Sequence, residues 1–431
     1  MKRLKVIMIC AAVTMLYGQL NAQNNTNSPY TRLGLGELAE KVSASSAAMG
    51  GSAIAIRDRQ HINTLNPASY SVVDSMTFML DGAVSMQTMK IYNNLNKFRA
   101  NNSSFDYLSM QFRLAKRLGV SLGLHQYANT GYNFSRTEVA KATPGVDADQ
   151  LKYMKRFNGE GGLREAYIGL GYAPIKNLSV GASISYLWGD ITRNLENIYP
   201  QGSVAYSYKN TVNTSISDYK LNFGLQYTIP FKKIEGITIG AIYSPKKTLN
   251  NDIEKITIIN QGNIEKLSAN MHIPTTYGIG LSYKKDYKLT IAADYKMQKW
   301  GEIGYTINSK EEDFNKTFAE TNQFSDSHRI SLGAEYIPNV YKRGYLSNVK
   351  YRFGLYYNTP YYAIKSQKAL DEYGVTFGFG LPLPRTKSIL NISGQYAHQK
   401  ANGANLDSQN IFKVSIGITF NERWFFKRKV D

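Results

Sequence analysis

Histidine, serine and cysteine would supply the most direct chemistry in this chain, and few of them are arranged for it. The five histidines are scattered without the spacing of metal ligands: His61, His125, His272, His328 and His398. His125 and Ser121 come nearest to the Ser, His and Asn set that outer-membrane phospholipases carry on the lipid-facing side of adjacent strands. Here both residues fall on one predicted strand, on its glycine-rich face, which we assign to the inside of the protein. No phosphate-cradling glycine loop occurs. We therefore predict no enzyme activity, no metal site and no cofactor.

The first 22 residues have the pattern of a secretory signal peptide. They open with three cations, continue through the apolar stretch Val6–Leu16 and end on the small residue Ala22. This stretch is too short to cross ~30 Å of hydrocarbon as a helix. We predict that residues 1–22 are removed after Ala22. The only cysteine, Cys10, lies within them, so the mature chain is expected to form no disulfide.

The chain is strongly basic, with a formal net charge of +19, of which three positive charges lie in the predicted signal peptide. Such a charge favours polyanionic partners. An exported chain without a nucleic-acid-binding motif is not expected to meet nucleic acid, whereas lipid phosphates are always present at a membrane surface. The charge therefore predicts outer-membrane lipid as a partner and no nucleic acid.

Apolar residues alternate with small polar residues in many short segments. In Leu178–Trp188 every second side chain is apolar, and the residues between them as far as Ser185 are Ser or Gly. A side-chain period of two indicates a β-strand. The same pattern recurs in segments 219–227, 289–296, 350–357 and 412–420. Each segment is about ten residues long, the length that a tilted strand needs to cross a bilayer.

About fourteen such segments lie between Met76 and Phe420, and the connections between them alternate between short and long. An even strand count with this alternation is typical of single-chain barrels whose short turns face the periplasm. We therefore predict an all-β fold: a transmembrane antiparallel β-barrel of about 14 strands over residues 75–431, with both termini periplasmic. A soluble β-sandwich is the alternative, but it does not explain the alternation of connections.

If the apolar face meets lipid, the other face lines the lumen. The predicted lumen-facing charged residues are Arg113, Lys220, Asp294, Lys296, Glu335, Lys350, Arg352 and Lys413. Pairing among themselves or with a plug is favoured over a ligand-selective ring. A fourteen-stranded barrel leaves a void unless something fills it. Residues 23–74 are rich in Gly, Ala, Ser and Asn and have no strand period, so we predict that they form a hatch inside the lumen.

The third predicted strand loses its apolar face early. Outward positions are apolar as far as Leu124, but Gln126, Asn129 and Gly131 follow. The favoured interpretation is that these residues mark the boundary of the membrane. The alternative is a bend or gap in the barrel wall at the third strand.

Two stretches of the predicted hatch resemble a known family. The run Ala48–Ile56, which contains Gly50 and Gly51, is followed about ten residues later by Asn66-Pro67-Ala68. This arrangement is similar to the N-terminal hatch of the long-chain fatty-acid transporter (FadL) family of outer-membrane proteins. Ser69 stands in place of the final glycine of that motif. The stretch Ser28–Gly34 further resembles the Bacteroidetes branch of the family.

The resemblance implies a function as well as a fold. In that family a hatch plugs a fourteen-stranded barrel and moves to pass hydrophobic molecules sideways through a gap at the third strand. It implies that this chain lies in the cell outer membrane and passively takes up a hydrophobic small molecule, with Gly50, Gly51, Asn66, Pro67 and Ala68 at the hatch or gate. The alternatives are a non-transporting barrel that serves a secretion or surface complex through its extracellular loops, and an open polar porin.

Overall fold

The computed structural model describes most of the chain. The described residues are 26–92, 97–139, 152–202, 206–232, 235–258, 262–309, 312–339, 344–364, 367–368, 370–384, 386–403 and 406–423. The predicted signal peptide, residues 1–22, and its cleavage site at Ala22 lie outside them.

Strands make up most of the described chain. In chain order they are β1 (Glu37–Leu38), β2 (Thr77–Tyr92), β3 (Lys97–Ala115), β4 (Leu118–Val139), β5 (Lys152–Ile175), β6 (Leu178–Ile198), β7 (Tyr208–Lys232), β8 (Glu235–Ser244), β9 (Lys247–Leu249), β10 (Asn251–Ile258), β11 (Gly262–Ile273), β12 (Thr276–Lys285), β13 (Leu289–Gln298), β14 (Thr306–Asn308), β15 (Ser327–Tyr336), β16 (Lys350–Asn358), β17 (Ala363–Ile364), β18 (Gln367–Lys368), β19 (Leu370–Pro382), β20 (Ile389–Ala401) and β21 (Ser408–Arg423).

Fourteen of these strands close into an antiparallel barrel, which confirms the predicted fold. They are β2 to β8, β12, β13, β15, β16, β19, β20 and β21, each paired with its neighbour in this order. The first barrel strand, β2, also pairs with the last, from Thr77–Arg423 to Tyr92–Ser408. Closure leaves no exposed sheet edge at the ends of the sheet.

The wall alternates between exposed apolar and buried polar side chains. On β6, Val180, Ile184 and Tyr186 are exposed, whereas Ser183 and Ser185 are buried. A soluble protein would bury the apolar set instead. Exposed Leu, Ile, Phe, Val and Tyr side chains recur on the outer face of the other barrel strands. The barrel thus carries an apolar band suited to a bilayer.

Several strands are much longer than the ten residues expected. β3 has 19 residues, and β7 has 25. Ten residues suffice to cross a bilayer, so β3 to β7 extend beyond the apolar band at the end of the barrel that carries the long connections. This end is the long-loop end; the opposite one is the short-turn end.

The long-loop end carries a packed apolar cluster, which we call the lid. Strands β9, β10, β11 and β14 contribute to it together with the region around Trp300. Its buried members are Leu35, Ala128, Leu163, Leu187, Ile191, Ile216, Leu249, Ile253, Leu267, Met271, Ile273, Trp300, Ile303, Tyr305, Ile307 and Tyr361. The lid covers the lumen at this end.

Helices are few and short. The described ones are Pro29–Arg32, Ala44–Ala47, Pro67–Ser71, Trp300–Glu302, Glu312–Thr321 and Tyr345–Asn348. No helix among the described residues is long and apolar enough to cross a membrane.

The described part of the hatch, residues 26–74, runs through the lumen from one end of the barrel to the other. At the long-loop end the hydroxyl of Tyr30 donates to the Asp407 carbonyl oxygen, just before β21. At the short-turn end Arg59 forms an exposed ion pair with Asp74, just before β2. We call Thr26–Leu38 the leading segment and Ala39–Asp74 the hatch body.

Candidate functional site

A belt of glycines on the inner wall receives the hatch body. Its members, hereafter the glycine belt, are Gly119, Gly171, Gly181, Gly224, Gly240, Gly280, Gly333 and Gly354. On β4 to β7 the first four lie directly opposite one another in register. A Cβ on Gly224 would overlap the Asn66 side chain, and one on Gly280 would lie 2.8 Å from the Ile54 Cβ. Glycine is therefore needed here for close approach of the hatch rather than for an unusual backbone conformation.

Asn66-Pro67-Ala68 docks on this belt and is fully buried or nearly so. The Asn66 side-chain oxygen accepts a hydrogen bond from the Ala68 amide at 3.0 Å and so caps the short helix Pro67–Ser71. Its amide nitrogen donates to the Ile54 carbonyl oxygen at 2.8 Å. One side chain thus begins a helix and ties together two distant turns of the hatch. Ser69, which departs from the family motif, donates to the carbonyl oxygens of Asn66 and Asn63.

Asp294 on β13 holds the middle of the hatch body. One of its carboxylate oxygens accepts hydrogen bonds from the amides of Ala53, at 2.6 Å, and Ile54, at 2.8 Å. All three residues are buried. Hydrogen bonds to a charged acceptor in such a setting are stronger than ordinary ones.

Gly50 and Gly51 make the turn before this point. Both have positive φ angles, of 70° and 86°, which non-glycine residues rarely adopt. The Gly50 amide donates to the Thr376 hydroxyl at 2.8 Å, and Arg329 donates to the Gly50 carbonyl oxygen at 3.1 Å. The turn is therefore fixed to the wall from two sides.

Three ion pairs join the beginning of the hatch body to the wall. Glu40 lies 2.6 Å from the Lys296 ammonium and 3.8 Å from the Arg329 guanidinium. Lys41 pairs with Glu165 on β5 and lies over the Tyr167 ring. Burial alone would raise the pKa of Glu40, but the charges of Lys296 and Arg329 outweigh it and lower that pKa to about 2.

A second charged group lies toward the short-turn end. Arg352 donates to Glu335 at 2.7 Å and to Asn391 at 2.8 Å. Lys350 lies 4.0 Å from both Glu335 and Asp58 of the hatch. The same two cations approach the His61 Nε2 at 3.2 and 3.3 Å. The charged residues of the wall and the hatch residues Asp58 and His61 thus form one network.

Of the other predicted lumen charges, Lys220 adjoins the Lys41–Glu165 pair, whereas Lys413 and Arg113 lie apart from both groups. Lys220 lies 4.0 Å from Glu165, and Lys413 lies 3.3 Å from Asp106. Arg113 is at the short-turn end, where it donates to the Ala115 carbonyl oxygen. The eight predicted residues therefore do not form a single ring around a pore.

The wall opens between β3 and β4. Their pairing in the described ranges extends from Ala115–Leu118 to Tyr107–His125. Beyond that pair β4 takes a different partner: β1 of the leading segment, with Leu38 opposite Ala128 and Glu37 opposite Asn129. A register irregularity between Gln126 and Ala128 bends β4 at the same level. We call this opening the seam; the structure places Gln126, Asn129 and Gly131 along its β4 side.

Side chains hold the leading segment in the seam. Thr31 donates to the Gly131 carbonyl oxygen at 3.1 Å and accepts from the Gly131 amide at 3.2 Å. The Tyr361 hydroxyl binds the backbone at Gly36 and Leu35, and Leu35 is part of the lid. The Arg32 guanidinium stacks near two aromatic rings, Phe134 and Phe157. The seam is thereby closed.

A cavity of about 250 Å³ lies beside the seam, between the hatch and strands β2, β3 and β19 to β21. Its lining is mixed. It includes apolar side chains such as Met89, Leu370 and Ile411, but also the carboxylates of Glu37, Asp106 and Glu372 and the cations Arg329 and Lys413. Its size is close to the lower limit of small-molecule sites.

One part of this site escaped sequence reasoning, the ion pair between the hatch body and β5. Lys41 and Glu165 are 124 positions apart, and nothing local marks them as partners. His125, expected on the inner face, is buried; its ring stacks on Tyr107 and is tilted against Tyr167, and the Ser109 hydroxyl lies 3.1 Å from its Nε2. No group of three or more His, Cys, Asp or Glu side chains suited to a metal occurs within the described ranges.

A comparison with known protein families assigns the chain to one of them. The family model described as BamG matches residues 1–431. The chain belongs to the BamG family. A comparison with curated proteins finds no match.

Solved structures similar to this BamG family member share its fold. The CymD monoaromatic hydrocarbon channel is 16% identical, covers 92% of this chain and 99% of its own, and has a TM-score of 0.57. The Pseudomonas putida toluene transporter TodX is 17% identical, with 91% and 100% covered and a TM-score of 0.56. A Pseudomonas aeruginosa FadL homologue is 11% identical, with 90% and 100% covered and a TM-score of 0.58. The predicted resemblance to the FadL family thus holds for the fold, while the matching family model is BamG.

Proposed function

We propose that this BamG family member is an outer-membrane channel for passive uptake of hydrophobic small molecules, with its short-turn end in the periplasm. The main observation in support of this proposal is the seam. A barrel wall normally pairs every strand along its whole length, and an opening filled by a separate segment provides a sideways path that the segment can close. The cavity beside the seam supplies a place for a small ligand. The fold is shared with proteins described as a hydrocarbon channel and a toluene transporter.

Gating is proposed to lie in the leading segment rather than in the hatch body. The hatch body is tied to the wall by Asp294, Glu40 and Lys41. The leading segment depends on fewer charged contacts and lies in the seam itself. Its withdrawal would join the cavity to the membrane without breaking the ion pairs of the hatch body.

A reversible crosslink tests this gate. Leu38→Cys with Ala128→Cys places two cysteines opposite each other on antiparallel strands, within reach of a disulfide. Cys10 is the only natural cysteine, so no other bond competes in the mature chain. In a deletion strain that carries this variant, uptake of labelled toluene and a labelled long-chain fatty acid should fall to background when oxidised and return after reduction.

The matched control is Val84→Cys with Ile416→Cys, which links two barrel strands that are paired along their whole length. It should leave uptake unchanged in both redox states. If the deletion strain takes up every apolar compound as fast as its parent, the chain is not a channel. If native protein restores uptake but the oxidised crosslink does not block it, the gate lies elsewhere.

A second function is favoured by a different observation, the packed lid. Trp300 is fully buried at its centre, against Phe324 and Tyr361, and the hatch below it is fixed by ion pairs. This arrangement supports a non-transporting barrel that serves a secretion or surface complex through its long-loop end. Stoichiometric copurification of partners that requires the β10–β11 hairpin, with uptake unaffected by deletion of the gene, would favour this function over the first.

A further inference from the structure

A group of cations lies on the outer face of the β2–β3 hairpin. Residues 82–105 contain Lys90, Lys97 and Arg99 but no Asp or Glu. Lys90 and Arg99 are directly opposite each other in the β2–β3 register, and both are exposed. Opposed residues of an antiparallel pair project from the same face, so two positive side chains stand next to each other.

No carboxylate in the described part of the chain balances these cations. Among the described residues, no Asp or Glu oxygen lies within 4 Å of the Lys90, Lys97 or Arg99 side-chain nitrogens. The other neighbour of Lys90 is Asn410 on β21. Like charges directly opposite on a sheet destabilise it, so this arrangement favours an anion from outside the chain.

The position of the pair relative to the apolar band limits what that anion can be. Val84 and Met86 on β2 and Phe412 on β21 are exposed apolar residues of the band. Thr88 and Asn101 follow and are hydrogen-bonded to each other. Lys90 lies four residues beyond Met86, about 10 Å along the membrane normal for a tilted strand. This is the depth of the lipid phosphates, and both long side chains can adjust to reach them.

We infer that Lys90 and Arg99 form a binding site for a phosphorylated lipid headgroup of the leaflet that faces the long-loop end. The planar guanidinium of Arg99 can donate two parallel hydrogen bonds to two phosphate oxygens, and the ammonium group of Lys90 adds a second positive charge beside it. Tyr92, whose hydroxyl accepts a hydrogen bond from Asn410, lies next along β2 and suits the same interface. The inference rests on the proposed membrane orientation and not on transport.

The site lies beside the seam. β3 is the strand that parts from β4, and Asn102, three residues from Arg99, accepts a hydrogen bond from Asn27 of the leading segment at 2.7 Å. A lipid held at Lys90 and Arg99 would border the same opening. The two proposals remain separable because lipid binding is measured without any transported compound.

The test uses the full mature chain, purified in detergent and titrated with bis-phosphorylated lipid A, with bound lipid counted by native mass spectrometry. Each cation at an anionic membrane surface contributes roughly five-fold in affinity, so Lys90→Gln with Arg99→Gln should weaken the tightest binding about 30-fold. Lys90→Arg keeps the charge and should bind like the native chain. The control, Lys152→Gln with Lys266→Gln, removes the same charge from strand extensions beyond the membrane and should leave binding unchanged.

Two further probes separate the possible sources of phosphate. Dephosphorylated lipid A should bind the native chain no better than lipid A binds the double variant. Inorganic phosphate at millimolar concentration should not displace lipid A. Equal binding of the native chain and the folded double variant would overturn the site, as would equal binding of the dephosphorylated lipid. Displacement by inorganic phosphate would make it a free-anion site and overturn the lipid assignment.

Discussion

The hatch body and the leading segment occupy the same barrel but are held in different ways. The hatch body lies backbone to backbone on the glycine belt, and charged wall residues bind its amides and side chains. The leading segment lies in the seam, where a threonine, a tyrosine and aromatic rings hold it. Removal of the hatch body would break its ion pairs with the wall and expose buried amides. Release of the leading segment would break the two-residue pairing of β1 with β4 and the packing of Leu35 in the lid, but no ion pair of the described residues. We propose that the barrel combines a fixed plug with a detachable closure.

The largest expected effect comes from filling the glycine belt. Gly224→Val should force Asn66 and Pro67 away from the wall, because a Cβ there would overlap the Asn66 side chain. Overpacking against backbone of this kind costs about 3 kcal/mol. We expect a lower unfolding midpoint in detergent and, in planar bilayers, steady conductance that the native chain lacks. Gly304→Val is the control, since open space surrounds Gly304; equal behaviour of the two variants would contradict a tightly fitted hatch body.

Asp294→Ala should have the next largest effect. It removes the acceptor of the Ala53 and Ile54 amides and leaves two buried donors unsatisfied, at about 2 kcal/mol in total. Urea unfolding in micelles measures this loss. Asp294→Asn retains a side-chain oxygen and should recover about half of it. An Asp294→Ala variant as stable as the native chain would show that Asp294 does not fix the hatch body.

The ion pair between Glu40 and Lys296, which also holds the hatch body to the wall, can be tested by changing the pH. The pKa of Glu40 is about 2 in the folded chain, below the value of an unpaired glutamate. Its stabilising contribution is therefore complete above about pH 4.5 and is lost as the pH falls toward 2. Glu40→Gln should remove about 1 kcal/mol near pH 7, because the pair is partly exposed, and should flatten this part of the pH profile. Identical profiles for the native chain and the variant would contradict the attachment.

The smallest effect is expected in the leading segment. Thr31→Val keeps the shape of the side chain and removes its hydrogen bonds with Gly131, at about 1 kcal/mol. Global stability should change little, but limited proteolysis near residue 31 should become faster. Thr64→Val is a comparable change in the hatch body and should not increase cleavage at residue 31. A large loss of global stability from Thr31→Val would mean that the leading segment is not a separate unit.

The barrel wall could be predicted because each of its strands carries a local signal. In Leu178–Trp188 the lipid and the lumen impose opposite demands on alternate residues. The parts of β4 to β7 that extend beyond the membrane have polar residues on both faces, as in Thr211 to Thr214. Their sequence therefore has no alternation of apolar and polar side chains that would indicate a strand. Their pairing with one another makes them strands, and only the structure shows it.

The site could be predicted only in part. Asn66-Pro67-Ala68 marked the hatch, and the polar residues after Leu124 marked the irregular strand. The partner of that strand could not be found, because Glu37 and Leu38 form a two-residue strand without a pattern. The glycine belt was visible as glycines on the inner face, but what each glycine approaches depends on a chain segment more than 45 residues away.

Amide hydrogen exchange of the native chain in nanodiscs tests the contrast between hatch body and leading segment most directly. Peptides covering Leu33–Leu38 should exchange at least 100-fold faster than peptides covering Ala53–Ser69, because local opening needs less free energy in the seam than on the glycine belt. Equal protection of the two regions, or faster exchange in the hatch body, would contradict a fixed plug with a detachable closure.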